Sequence, residues 1–252
     1  MLDCGMHMGF NDARRFPDFD KILQYDRYGD KIDPVPPKTH TPDTFTPRVD
    51  AVIISHYHLD HCGALPFFSE RKGYKGPIYM SAPTKTICPR LIDDFRRISI
   101  IEDTKPDKHG TQHPVDPCYF TSDDIDRCFS RVQTLPLGAE VQVCEGVRVT
   151  TYYAGHVVGA VMILVESGGE SALYTGDYNM TPDQHLGSAY IPRVVPDVII
   201  TEGTYAATVR DARLFREQAF LAQVQATIDR GGRVLIPVFA LGRAQELCLL
   251  LD

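Results

Sequence analysis

No run of apolar residues in this 252-residue chain is long enough to span a bilayer, and its start lacks the basic-then-apolar pattern of a secretory leader. A membrane role is not expected. Cys-x-x-Cys pairs are missing too. The seven cysteines (Cys4, Cys62, Cys88, Cys118, Cys128, Cys144 and Cys248) are odd in number and scattered, which argues against a disulfide framework or a structural zinc finger. They point to a reducing compartment, cytosol or nucleus. There is no internal repeat. Basic excess is also absent: 26 Lys and Arg face 33 Asp and Glu, a net charge of −7, which at first sight disfavours a nucleic-acid partner. Yet a site for two cations needs local carboxylates, so global charge decides nothing. The late arginines Arg210, Arg213, Arg216 and Arg230 read equally well as a solvated helix face, and Arg233 and Arg243 follow them. A hydrophobic share of 43% and a charged share of 23% are ordinary for a globular protein, with room for one large domain or one domain and part of another.

Two stretches rich in Pro, Thr and Asp, from about 25 to 48 and from 103 to 117, read as surface loops. His109 and His113 lie in the second and are expected to face solvent. Elsewhere strands and helices alternate. Strands are expected at 49–55, 77–81, 141–143, 147–153, 161–166, 171–175, 198–201 and 233–237, with hairpin turns at Glu145-Gly146 and Gly168-Gly169. Helices are expected at 64–70, 83–98, 215–230 (ending at Gly231-Gly232) and 243–251. Met1 to Gly5 look like the end of a strand entering a glycine turn, with no preceding strand to pair with. The mixture implies an α/β fold of two sheets with helices outside them.

The most informative stretch is His56-Tyr57-His58-Leu59-Asp60-His61, directly after the apolar run Val52-Ile53-Ile54. If the chain leaves that buried strand extended, His56 and His58 point the same way and can share a metal. Asp60 and His61, being adjacent, diverge and can reach a second metal. Histidines also cluster in loops by chance, so the remaining donors matter. His156 follows one strand and Asp177 another, each beside a glycine that lets the backbone turn. A lone His after a strand is usually structural and a Gly-Asp pair is usually a turn, but three such strand ends together favour a shared site. By charge and reach, His56, His58 and His156 would hold one cation, Asp60 and His61 the other, and Asp177 would bridge. Imidazole and carboxylate suit zinc, and two zinc ions side by side lower the pKa of a shared water towards neutrality. Asp3 is expected to support a ligand histidine through its other ring N–H.

The set Asp3, His56-x-His58-x-Asp60-His61, His156 and Asp177 resembles, in order and spacing, the metal motifs of the metallo-β-lactamase fold. The stretches His61–Pro66, Thr201-Glu202-Gly203-Thr204-Tyr205 and Gly231–Leu247 resemble its β-CASP branch, whose members cut RNA or DNA. Within that branch, Met1–Asp12 and Arg14–Phe19 are most similar to the Integrator-type endonucleases, then to the pre-mRNA 3′-end cleavage endonucleases of the polyadenylation machinery. The resemblance implies an αββα sandwich over residues 1–207 and the beginning of a β-CASP domain over 208–252. It also implies a nuclear, two-zinc RNA endonuclease that leaves a 5′-phosphate and a 3′-hydroxyl, in 3′-end processing of small nuclear RNA type. Asp60, Asp3 and Glu202 are its expected catalytic carboxylates, and Arg243 is expected to help hold phosphates. Implied partners are RNA and other subunits of a nuclear RNA-processing complex, among them a catalytically inactive paralogue. A small-molecule hydrolase and a non-catalytic scaffold stay open as other readings.

There are departures from the family pattern. Family members have a strand or two before the position of Asp3, and take two further histidines from a region past the equivalent of Asp252. No histidine follows His185 here, so the 252 residues alone are expected to show little nuclease activity. Gly203 stands where the family usually has a serine that can orient the acidic residue at 202.

Overall fold

The computed structural model describes residues 1–26, 29–32, 44–103, 120–209 and 211–252. Val52–Ile54 (β1), Ile78–Met80 (β2) and Val132–Thr134 (β3) make a parallel sheet in that order. Glu140–Cys144 (β4), Val147–Tyr153 (β5), Val161–Ser167 (β6), Glu170–Tyr174 (β7) and Val198–Ile200 (β8) make a second sheet, also in chain order. Its neighbours are antiparallel except β8, which runs parallel to β7. The helices are Leu59–Cys62 (α1), Ala82–Asp103 (α2), Ser122–Ser130 (α3), Arg213–Asp229 (α4) and Arg243–Leu251 (α5). None of the described helices is long and apolar enough to cross a membrane.

Period-2 alternation builds the layers. Val52, Ile54, Ile78 and Met80 join a core with Phe68, Cys88, Ile92 and Ile125, the last three contributed by α2 and α3 in part and all of them apolar. Ile53 and Tyr79, one residue out of phase, join Val143, Val149, Val161 and Ile163 of the second sheet. The small sheet is therefore covered on one face by helices and on the other by the larger sheet. Strands buried on both faces read as unbroken apolar runs, and β1 is one. The α/β class with two sheets is what forms.

Several boundaries differ from expectation. A helix begins at Leu59 rather than Ala64, because extended His58 acts as its N-cap and the His58 carbonyl accepts from Cys62 N–H at 2.9 Å. A π turn at Phe67–Arg71 follows it. The helix expected at 83–98 runs from Ala82 to Asp103 with Pro89 inside, so the second proline-rich stretch starts at a helix end. Residues 104–117, His109 and His113 among them, lie outside the described residues. From the first loop, Phe45 is 1% exposed and packs its ring against Phe68, so this part of the loop belongs to the core. Leu2 pairs with a strand that follows it, bridging Ile53 of β1 in parallel, with Asp3 N–H donating to the Ile53 carbonyl at 2.8 Å. α3 and β3 were not anticipated. Residues 233–237 form no strand among the described residues; Leu235 is 91% exposed, and an apolar run without a neighbouring strand has no ladder to join. Both hairpin turns form, with Gly146, Gly168 and Gly169 at positive φ.

Candidate metal centre

Two antiparallel steps separate β5 from β7, and β8 is parallel to β7, so these three strands run the same way. Their C-terminal ends open on one edge of the sheet. The residues just beyond them include His156, Asp177 and Glu202. β1 delivers His56 and His58 to the same edge, where Val161 N–H donates to the Ser55 carbonyl at 3.0 Å and ties the two sheets together. The chains pass very close here. A Cβ on Gly176, at φ 53°, would lie 2.9 Å from the Ser55 side chain, so only glycine fits that turn without a shift.

Three imidazoles and a carboxylate converge. His58 Nδ1 lies 3.0 Å from His56 Nε2 and 3.1 Å from His156 Nε2. Asp177 Oδ2 lies 3.9 Å from His56 Nε2 and 3.6 Å from His156 Nε2. All four donor atoms fall within 4.8 Å of one another. The other oxygen of Asp177, Oδ1, sits 3.3 Å from His61 Nε2, which is itself 3.7 Å from Asp60 Oδ2. Adjacent in sequence, Asp60 and His61 were expected to diverge. On α1 they instead converge beside the first group, with Asp177 between the two sets. The donor set is the one that zinc accepts, imidazole nitrogen and carboxylate oxygen.

Asp3 orients this arrangement. Its Oδ2 is 2.7 Å from His61 Nδ1 and accepts from Ser55 Oγ at 2.8 Å and Tyr174 Oη at 2.7 Å, while Oδ1 accepts from Ser55 N–H at 2.7 Å. With Nδ1 engaged, His61 presents Nε2 to the Asp60–Asp177 side. Ser55 Oγ also lies 3.0 Å from His56 Nδ1, turning that ring's Nε2 inward. Ser55 and Tyr174 were missed by the sequence reading. Their signal was position alone, one residue before His56 and three before Asp177. Asp3 has φ 60°, a left-handed conformation that non-glycine residues avoid. Its four contacts hold it there.

The local electrostatics favour neutral imidazoles in the first group. Burial, and then the neighbouring His61, His58 and His156, push His56 down to about 2. Burial likewise lowers His58 and His156. His61 is different: burial opposes its charge, but hydrogen bonds to Asp177 and Asp3 push it up to about 10. Asp177 is held at about 2, chiefly by its hydrogen bond to His61. The carboxylates that keep a proton on His61 are the ones that would favour a cation beside its Nε2.

Glu202 lies outside the cluster of donors. Its Oε1 accepts from Tyr178 N–H at 3.3 Å, next to Asp177, and its charge acts on His156. Arg243 also acts on His156, with opposite sign, and pairs with Asp183 at 3.5 Å.

Residues 33–199 match the metallo-beta-lactamase superfamily domain. Over all 252 residues the chain is 53% identical to "Integrator complex subunit 11" of Danio rerio, covering 38% of that protein. It is 44% identical to "Cleavage and polyadenylation specificity factor subunit 3-II" of Arabidopsis thaliana, covering 36% of it. It is 36% identical to "Endoribonuclease YSH1" of Candida albicans, covering 26% of it. In each case the chain is matched from end to end and spans well under half of the relative.

Proposed function

The chain belongs to the metallo-β-lactamase superfamily, and we propose that it is the metal-binding part of a zinc-dependent RNA endonuclease of nuclear RNA 3′-end processing. The observation that carries this reading is the carboxylate of Asp177, whose two oxygens face two separate donor groups. His56, His58 and His156 would hold one zinc ion, Asp60 and His61 a second, and Asp177 would touch both. When bound, the pair supplies Lewis acidity and an activated water for phosphodiester hydrolysis. The chain's own residues do the positioning. Ser55 and Asp3 turn His56 and His61 so that each offers Nε2. Glu202 holds the backbone next to Asp177. Asp60 has a side chain 59% exposed, the most open of these donors, which supports a position on the side of the centre open to substrate.

RNA as substrate is supported by the relatives' names, one of them an endoribonuclease. The higher identity to an Integrator subunit, 53%, than to a cleavage and polyadenylation factor subunit, 44%, supports the small nuclear RNA type of processing. By the same reading the protein works in the nucleus with other subunits of such a complex, including a catalytically inactive paralogue. Residues 1–207 are then its metallo-β-lactamase part, and 208–252 open a β-CASP domain over the RNA.

The test is cleavage of a labelled single-stranded RNA by the zinc-loaded full-length protein beside its Asp60→Ala variant. The expected result is products with a 5′-phosphate and a 3′-hydroxyl, and a loss of about a hundredfold or more in the variant. Hydrolysis of a thioester or lactam with RNA left intact would instead make it a small-molecule hydrolase. Cutting by Asp60→Ala at the parent rate would remove the second metal from the mechanism.

A further inference from the structure

Beside the metal centre the first fifteen residues build a feature that the proposed chemistry leaves unused. The segment after Asp3 lies against α1: Cys4 N–H donates to the His61 carbonyl at 2.8 Å and Met6 N–H to the Leu59 carbonyl at 2.9 Å. A Cβ on Gly5 would fall 1.6 Å from the Asp60 carbonyl oxygen, so this backbone is in direct contact with the ligand-bearing turn. From there the loop leaves and returns, closed by His7 N–H donating to the Arg15 carbonyl at 2.7 Å. Its base is rigid, because Arg15 is 2% exposed with its guanidinium 5.4 Å from the Phe95 ring centre, and Phe16 stacks on Phe67 at 4.1 Å.

On the outside of this loop three flat groups lie side by side, with the His7 and Phe10 rings tilted 44° to each other. The Phe10 ring lies 4.6 Å from the His7 ring and 4.6 Å from the Arg14 guanidinium carbon. Each outer member is held in place. Gly9 N–H donates to His7 Nδ1 at 3.0 Å, which ties the ring to the loop backbone. Asp12 takes Arg14 Nε at 2.9 and 3.0 Å and Nη2 at 2.6 Å, a bidentate grip that fixes the guanidinium plane. Asp12 also cancels the charge it grips. The result is an exposed cluster of π surfaces whose guanidinium charge is paired with a carboxylate, which suits bases more than phosphates.

We propose that the loop from His7 to Arg14 is a base-stacking platform for single-stranded RNA, flanking the metal centre on its Asp60 side. This rests on the RNA-cleaving function proposed above and names which residues grip the strand there. Bases stack on the open faces of His7 and Arg14, and Phe10 serves as the spacer that sets their separation. An unpaired strand is required, since stacked and paired bases have no free face to offer.

The test measures RNA affinity by fluorescence anisotropy, with Asp60→Ala full-length protein as the non-cutting parent and His7→Ala/Arg14→Ala added to it. Two probes are used, a single-stranded RNA ten-mer and the same backbone carrying abasic sites. The platform predicts that the double change weakens binding of the ordinary RNA about tenfold and of the abasic RNA by less than about twofold, with the salt dependence unchanged. Zinc content equal to the parent's shows that the two further changes leave the metal centre as it is in Asp60→Ala. Equal losses on both probes, or no loss on either, would overturn the platform while the cleavage reading stands. A full-length protein that neither binds nor cuts RNA would overturn the parent reading, and this proposal with it.

Discussion

Asp3 shows how much a single residue carries. It takes up a φ of 60° and gathers Ser55, Tyr174 and His61 around one carboxylate. A residue in the left-handed region costs on the order of 1 kcal/mol or more, so its contacts must outweigh that cost. The first prediction follows from this. Ser55→Ala together with Tyr174→Phe removes two of the donors to Asp3, and the Ser55 contact to His56 Nδ1, without replacing a ligand, and should weaken zinc binding by about ten- to a hundredfold. Competition with a chromogenic chelator measures it, and unchanged affinity would mean that neither Asp3 nor His56 needs these hydroxyls. A second prediction concerns a ligand. His58→Ala removes the nitrogen that faces both His56 and His156, and should cost the first zinc ion as read by elemental analysis. Circular dichroism should stay close to the parent's, since β1, β2 and their core do not include that side chain.

At the scale of elements, α3 illustrates both stability and what can be read in advance. Thr121 accepts from Asp124 N–H at 3.1 Å and Asp124 accepts from Thr121 N–H at 2.7 Å, a reciprocal cap before a 9-residue helix. Thr121→Ala should lower the unfolding free energy by about 1 kcal/mol in urea titration. Burial opposes the charge of Asp124, but Thr121, Arg71 and Arg127 outweigh it and hold its pKa below the usual carboxylate value. Stability from this residue is therefore complete above the unfolded pKa of about 3.9 and is lost as pH falls through the lower folded one. Asp124→Asn should flatten acid unfolding in that window. The cap pattern was legible but lay next to a proline-rich stretch, so the helix went unread. By contrast, the strand ends carrying His56, His156 and Asp177 were legible because each apolar run stops at a polar donor beside a turn. What the sequence hid was the start of α1: with the helix beginning at Leu59, Asp60 and His61 share a direction that extended chain would deny them. Residues 233–237 misled for another reason, since an apolar β-branched run states a propensity while a strand needs a neighbour.

At the scale of the whole molecule, a buried carboxylate, Glu246, is the centre of the polar contacts that tie the last two helices to the metal-bearing body, with Asp183 pairing Arg213 and Arg243 beside it. Glu246 on α5 is 7% exposed and accepts from Gln184 N–H at 2.9 and 2.8 Å. It also lies 2.9 Å from His185 Nδ1 and accepts from Arg213 Nη2 of α4 at 3.0 Å. Arg213 continues the tie by donating to the Pro182 carbonyl. α4 buries none of its side chains, so packing contributes little and polar contacts carry its attachment. Hydrogen bonds to a charged group are worth about 1.5–3 kcal/mol each, and removing the carboxylate takes the acceptor from Gln184 N–H and one of several from Arg213. Glu246→Ala should therefore release α4 and α5 locally and leave the sheets protected. Hydrogen exchange by mass spectrometry would show peptides from 213–229 and 243–251 exchanging at least about tenfold faster, with those from 147–174 unchanged. The same attachment depends on pH. Burial raises the pKa of Glu246, but Gln184, His185 and Arg213 lower it further, so the folded value sits below the unfolded one. The tie is then at full strength above an unfolded pKa of about 4.3 and weakens as acid protonates the folded carboxyl. In Glu246→Gln, which keeps the shape and removes the charge, exchange of both helices should lose this acid dependence. If it is retained, some other carboxylate holds the helices down.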